Sequence, residues 1–439
     1  MQSHAAHAHA ADPLIKKHRT ADATLTVTVD GAPLAGQEVL VAQRDHKFLF
    51  GCIGFDFIPL ANGELHAEGQ AGPGGATGSL GEASADQADH PADEHLAELW
   101  FDLFNFATLP FYWGRFETVR GRPDTERLLK TARWFADRGV PVKGHPLAWH
   151  TVTADWLMDL PNAEIAREQV ARIQREVGGF AGLIDMWDVI NEVVIMPIFD
   201  KYDNGITRVA REIGRIPMVR MVFDAAREAN PNATLLLNDF DMSAAYECLI
   251  EGVLEAGIKI DVLGLQSHMH QGYWGEEKTL ATIERFARYG LPIHFTETTL
   301  LSGHIMPADI VDLNDYQIPD WPSTPEGEAR QADEVVRHYK TLLSHPQVQA
   351  MTYWGMSDGG WLGAPGGFVR RDGTPKPSYD ALRSLVKGEW WLAPTKMATD
   401  DQGRVRFNGF LGEYEVTAAG RTATFSLGEP GEAAADVAL

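Results

Sequence analysis

The chain has only two cysteines in 439 residues, Cys52 and Cys248, both in apolar surroundings. No disulfide framework holds it together, and the thiols read as small hydrophobes. Long hydrophobic runs are also missing: no stretch of 18 apolar residues occurs, and the first twenty residues hold no apolar leader core. Neither a membrane span nor a signal peptide is therefore expected, which points to a cytoplasmic protein, or to a secreted one whose leader has been removed. Basic charge is scarce, with 38 Lys and Arg against 61 Asp and Glu and a formal net charge of −23. Nucleic acid and anionic membranes need clustered positive charge, so neither is an expected partner. No Gly-rich phosphate loop follows the first apolar run, which argues against a doubly wound nucleotide-binding sheet. The chain is 44% apolar and carries twelve Trp and ten Tyr, enough for a substantial core and for flat faces that suit a neutral ligand.

Residues 1–20 read as a disordered, alanine-rich tail. Its His4, His7, His9 and His18 lack ordered neighbours and are not expected to hold a metal. In the stretch 21–46, Leu25–Val29 and Glu38–Gln43 alternate around the turn Asp30-Gly31, as a β-hairpin does. Residues 395–430 show the same alternation in Val405–Phe407, Tyr414–Thr417 and Ala423–Leu427. Isolated hairpins are marginal in water, so the two ends are expected to pair into one small accessory β domain.

Between them, 47–390 repeats a short apolar run followed by a helical stretch eight times. The runs are Phe48–Ile53, Leu103–Leu109, Val140–His145, Leu183–Asn191, Thr234–Asp239, Ile260–Gln266, Ile293–Glu297 and Ala350–Trp354. Near-continuous runs of this length are what parallel strands buried on both faces look like, and eight such units predict a TIM (β/α)8 barrel. The segment 61–94, rich in Gly, Ala, Asp and His, interrupts the rhythm and reads as a disordered insertion on the catalytic face.

Barrel sites form where strands end. Here strand three closes with His145 and, beyond it, Trp149; strand four with Asn191-Glu192; strand five with Asn238-Asp239. Strand six closes with Gln266-Ser267-His268, strand seven with Thr296-Glu297, and strand eight with Tyr353-Trp354. Each alone has an ordinary explanation, such as a helix cap, a core histidine or a turn residue. Together they aim polar and aromatic groups at one mouth. Glu192 and Glu297 then face each other as glycoside hydrolysis requires, one protonating the departing oxygen and the other attacking or activating water. A zinc reading through His145, His268 and Glu297 is weaker, because Gln266 and Asn238 are poor company for that ion.

The series Gly144-His-Pro-Leu-Ala-Trp-His150, Trp187-Asp-Val-Ile-Asn-Glu192, Leu237-Asn-Asp-Phe240, Gln266-Ser-His268, Phe295-Thr-Glu297 and Trp354-Gly-Met-Ser-Asp-Gly-Gly-Trp361 resembles the motifs of family 10 glycoside hydrolases, the endo-β-1,4-xylanases and relatives. The resemblance implies Glu192 as acid/base and Glu297 as nucleophile, with retention of anomeric configuration and no cofactor or metal. It further implies that Asn191 bonds the sugar 2-hydroxyl, that His268 orients the nucleophile, and that His145, Trp149, Gln266, Trp354 and Trp361 wall the glycone subsite. Retention needs carboxyl groups about 5–5.5 Å apart and an acid raised above its ordinary value of about 4.3.

Two elements depart from the family. Its usual Glu-Asn-x-x-Lys-Trp at the end of strand two is replaced by Pro110-Phe111-Tyr112-Trp113-Gly114-Arg115, which makes Trp113 and Arg115 candidate substrate-binding residues. Its Asp two residues after the nucleophile is Thr299. The expected substrate is a neutral oligosaccharide or polysaccharide, β-1,4-xylan or xylo-oligosaccharides. The rivals are a different plant-derived β-glycoside and, from another class, a non-catalytic carbohydrate-binding barrel.

Overall fold

The computed structural model describes residues 11–64 and 94–439. Eight parallel strands close into a barrel: β1 Leu49–Ile53, β2 Phe106–Pro110, β3 Val142–His145, β4 Met186–Asn191, β5 Thr234–Asp239, β6 Val262–His268, β7 Ile293–Thr299 and β8 Val348–Tyr353. Each pairs with its neighbour in sequence, and β8 closes on β1 from Ala350 opposite Leu49 to Tyr353 opposite Cys52. Apolar residues predominate in most of the strands before their ends, because both faces are covered, one by the barrel interior and one by helices. Leu235, Leu237, Leu263 and Phe295, for example, are completely buried.

The outer helices include Thr125–Ala136, Asn162–Gly179, Arg215–Ala229, Gly275–Ala287 and Pro325–Leu343. The last starts where Thr324 accepts from the Gly327 amide, satisfying a donor the first turn would otherwise leave open.

The termini form two four-stranded sheets beside the barrel. One holds Thr20–Val29 between Arg404–Phe410 and Gly431–Ala438, and the other holds Glu38–His46 between Thr395–Ala398 and Gly412–Ala418, with Arg421–Leu427 at the edge. Leu25, Val27, Val39, Val41, Val405, Tyr414 and Val416 make a common core, so the two ends do build one accessory β domain.

Three expectations are corrected. The first is the strand paired across Asp30-Gly31: the turn closes a short hairpin with Ala32–Pro33, not with the run at 38–43. Thr20–Val29 and Glu38–His46 lie in different sheets, because each finds longer partners in the C-terminal segment. The second is the boundary at 430. The domain continues to Ala438, whose alanine-rich strand has little intrinsic β preference but gains a parallel ladder from Ala21–Gly431 to Thr28–Ala438. The third is the tail: Asp12–Arg19 is a helix with Ile15 buried. Arg19 pins it by donating to the carbonyls of Leu343, His345 and Val348, at the start of β8 and thus at the end of the barrel away from the mouth.

Of the expected insertion 61–94, residues 65–93 lie outside the described residues. At its edges Asn62 ends a short helix and donates to Ile58, Arg127 and Thr131, and Glu94 begins the helix Glu94–Leu103. Among the described residues no helix is long and apolar enough to cross a membrane.

Candidate active site

The strand ends converge as barrel geometry requires. Glu192, just past β4, has a left-handed backbone at φ 59°, a conformation costly for a residue with a Cβ. Its amide donates to the Asn238 carbonyl at the end of β5, which fixes that turn and aims the side chain into the mouth. Glu192 Oε2 accepts from Trp149 Nε1 at 2.8 Å, and Oε1 from Gln266 Nε2 at 3.0 Å and Asn191 Nδ2 at 3.1 Å. Burial, and then the charge of Glu297, push its pKa up to about 8 despite the Gln266 and Trp149 donors, which act in the opposite direction.

Glu297 is buried on β7. Asn238 Nδ2 donates to Oε1 at 2.9 Å, and His268 Nε2 lies 3.1 Å from Oε2. Asn238 also donates to Asn191 Oδ1 at 2.7 Å, and its own oxygen accepts from Thr296 Oγ1. Since Gln266 Nε2 bridges Asn191 Oδ1 and Glu192 Oε1, one chain of hydrogen bonds joins the two carboxylates. On the far side of His268, Nδ1 is 3.0 Å from Thr299 Oγ1. A hydroxyl can donate there, which places the proton of a neutral ring on Nε2, facing Glu297.

His145 is oriented from beneath. Asp188 Oδ2 accepts from its Nδ1 at 2.8 Å and meets Lys143 Nζ at 2.6 Å, all three side chains being buried. Burial opposes the Asp188 charge, but Lys143 and His145 more than offset it and keep its pKa below the ordinary value. The His145 Nε2 atom is left facing Glu297 Oε1 at 3.9 Å. Between these partners Gly144 must be glycine, because a Cβ there would sit 2.1 Å from the Trp187 ring.

Aromatic rings complete the walls. Trp354 stands edge-on to His145 at 5.1 Å and to Phe55 at 5.7 Å, while Trp361 lies 4.4 Å from the His268 ring. A small open hollow adjoins them, bounded in part by His270, Thr299, Trp354 and Trp361. Among the described residues no three His, Cys, Asp or Glu side chains group closely enough to hold a metal ion.

Glu192, Glu297, His145, Trp149, Asn191, Gln266, His268, Trp354 and Trp361 thus come together. The other two candidates do not join them. Trp113 is buried beneath the wall, donating to Glu117 at 3.2 Å with the Arg172 guanidinium over its ring, and Arg115 is exposed with its guanidinium 5.9 Å from the Tyr112 ring. The residue of this segment that reaches the site is Tyr112, edge-on to His145 and tilted against Trp149, both at 5.6 Å.

Sequence reasoning also missed Asn238 as a partner of Glu297, since Asn before a turn reads as turn chemistry. The Lys143–Asp188 pair had a usable signal: two charges inside runs expected to be buried on both faces must find each other.

The sequence profile of glycosyl hydrolase family 10 matches residues 111–385. Endo-1,4-beta-xylanase B of Thermotoga neapolitana is 28% identical over 298 residues, covering 63% of this chain and 78% of that protein. Endo-1,4-beta-xylanase C of Paenibacillus barcinonensis is 25% identical over 376 residues, 75% of this chain and 33% of that one. Among solved structures, xylanase 10B from Thermotoga petrophila RKU-1 in complex with xylobiose superposes with a TM-score of 0.59 at 21% identity, over 78% of this chain and 95% of that one. With the profile spanning well over half of its length, the chain belongs to glycosyl hydrolase family 10 and is a glycoside hydrolase resembling the endo-1,4-β-xylanases.

Proposed function

We propose that this protein hydrolyses β-1,4-xylan or xylo-oligosaccharides with retention, through two displacements at the anomeric carbon. The observation that carries the reading is the pair of carboxyls in unlike settings on one hydrogen-bond chain: Glu192 pushed up to about 8, and Glu297 held by two nitrogen donors. In the first step a Glu297 oxygen attacks the anomeric carbon as the glycosidic bond breaks, and the Glu192 proton passes to the departing oxygen. Esterification removes the Glu297 charge, one of the causes that raise Glu192, so Glu192 becomes the base that takes a proton from water in the second step. The water oxygen then bonds to the anomeric carbon and Glu297 is released. Asn191 stands between the carboxylates, where a 2-hydroxyl would lie. His145, its Nδ1–H committed to Asp188, keeps Nε2 to accept from a sugar hydroxyl. Trp149, Gln266, Trp354, Trp361 and Tyr112 wall the glycone.

Following the first product by proton NMR tests the reading, with release of the β-anomer expected. A 2-deoxy-2-fluoro glycoside should leave a covalent adduct on Glu297. First release of the α-anomer, or an adduct elsewhere, overturns it.

A second reading, a β-glycoside with a different glycone, is favoured by one observation. Tyr112 stands edge-on to His145 in the strand-two segment where the family has Glu, Asn and Lys, and a site lacking those polar partners discriminates against the sugar that needs them. Relative kcat/KM on aryl xylo-, gluco- and arabino-configured glycosides decides between the two.

A further inference from the structure

The connection from β7 to the helix Pro325–Leu343, residues 300–324, is far longer than an ordinary βα loop. It carries its own small core of Leu301, Met306 and Trp321, packed with Leu362 and Ala364. His304 stacks on Trp321 at 5.1 Å and bonds Tyr316 at 2.9 Å. The connection leans first on the loop after β6, where Met306 N donates to His270 O at 2.9 Å and Gln271 Nε2 donates to the carbonyls of Pro307 and Ile310. It then reaches the loop after β4, where Lys201 Nζ lies 2.6 Å from both Asp312 and Asp315. The connection thus bridges from β7 past the loop after β6 to the loop after β4, three strands away around the barrel.

This bridge has a definite side. Glu192, as the proton donor of the proposed reaction, marks where the leaving group departs, and Lys201 lies further along the same loop. Tyr112 and Trp354, from β2 and β8, mark the other side. We infer that the 300–324 strap closes the leaving-group side of the cleft, so that the enzyme cleaves glycosides whose leaving group is one or two sugar units or a small alcohol, rather than bonds deep inside a long chain. The inference rests on Glu192 being the acid.

The test uses the full chain with xylohexaose labelled at its reducing end, a soluble high-molecular-mass xylan, and 4-nitrophenyl β-xylobioside. The labelled fragment first released should be xylose or xylobiose, and xylan viscosity should hold while reducing ends accumulate. Replacing 309–317 by three glycines should bring central cleavage of the hexaose and raise kcat/KM on polymer at least tenfold. Lys201→Ala should raise it two- to threefold, and both variants should keep aryl-glycoside kcat/KM within about twofold. Central cleavage by the wild-type enzyme from the first turnovers, with viscosity falling as fast as in the variants, overturns the inference while leaving the chemistry intact. Should the shortened variant fail to fold, the wild-type cleavage pattern alone decides. If the wild-type enzyme turns over none of the three substrates, the xyloside reading falls and the strap inference falls with it.

Discussion

Replacing Glu297 with Gln removes the charge that helps keep Glu192 protonated, while leaving burial, the larger cause, in place. Two unit charges about 5.5 Å apart, the spacing a retaining pair needs, interact by about 3 kcal/mol at an effective dielectric of ~20. Dividing by about 1.4 kcal/mol per pH unit, Glu192 in Glu297→Gln should titrate about two units lower than its value of about 8, yet still above its ordinary range. Carbon NMR of carboxyl-labelled glutamate, with Glu192→Gln to assign the resonance, measures this directly. In the wild-type enzyme the same ionisation appears as a fall of kcat/KM above pH 8 on substrates with poor leaving groups, absent in Glu192→Gln. Stability follows with a definite sign. The folded value lies above the unfolded one, so the contribution is complete below pH 4.5 and is lost as pH rises through 8, by at most ~5 kcal/mol. A Glu192 value that stays within about half a unit after Glu297→Gln would refute the electrostatic coupling on which the acid-to-base exchange depends.

Trp149→Phe deletes a 2.8 Å N–H donor that favours ionised Glu192, so the alkaline fall should move up by about one pH unit; a downward move would contradict the assignment. Thr299→Val removes the hydroxyl on His268 Nδ1 and frees the ring to adopt the other tautomer. kcat should drop about tenfold with KM nearly unchanged, and Thr299→Ser should restore it, as initial rates on an aryl glycoside will show. Arg19→Ala strips three backbone carbonyls of a charged donor and should cost about 3 kcal/mol in denaturant unfolding. Because Arg19 sits at the far end of the barrel, kcat should not change.

How far each feature was legible depended on how local its cause was. Apolar runs and turn residues are local, and all eight barrel strands stand within a few residues of where the runs placed them. Strand-end chemistry is nearly as local, since a barrel sends every strand end to the same mouth. Trp113 shows where this stops. It follows Tyr112 directly, but the short helix Trp113–Phe116 turns it inward toward Glu117 and Arg172 while Tyr112 keeps the mouth. A one-residue difference in direction is set by backbone conformation and neighbours, not by residue type.

The sequence by itself determined the eight βα units, the order of the polar strand ends and the two glutamates at the mouth, because hydrophobic period and residue chemistry act over a few positions. Tertiary structure alone decided which groups hold those glutamates, that Asn238 links them, and that Thr20–Val29 pairs with Gly431–Ala438 and not with Glu38–His46. It also decided that Lys201, in the loop after β4, meets Asp312 and Asp315, in the connection after β7. These pairings join segments far apart along the chain, and only the closed ladder of the barrel and the packing of the terminal sheets bring them within reach.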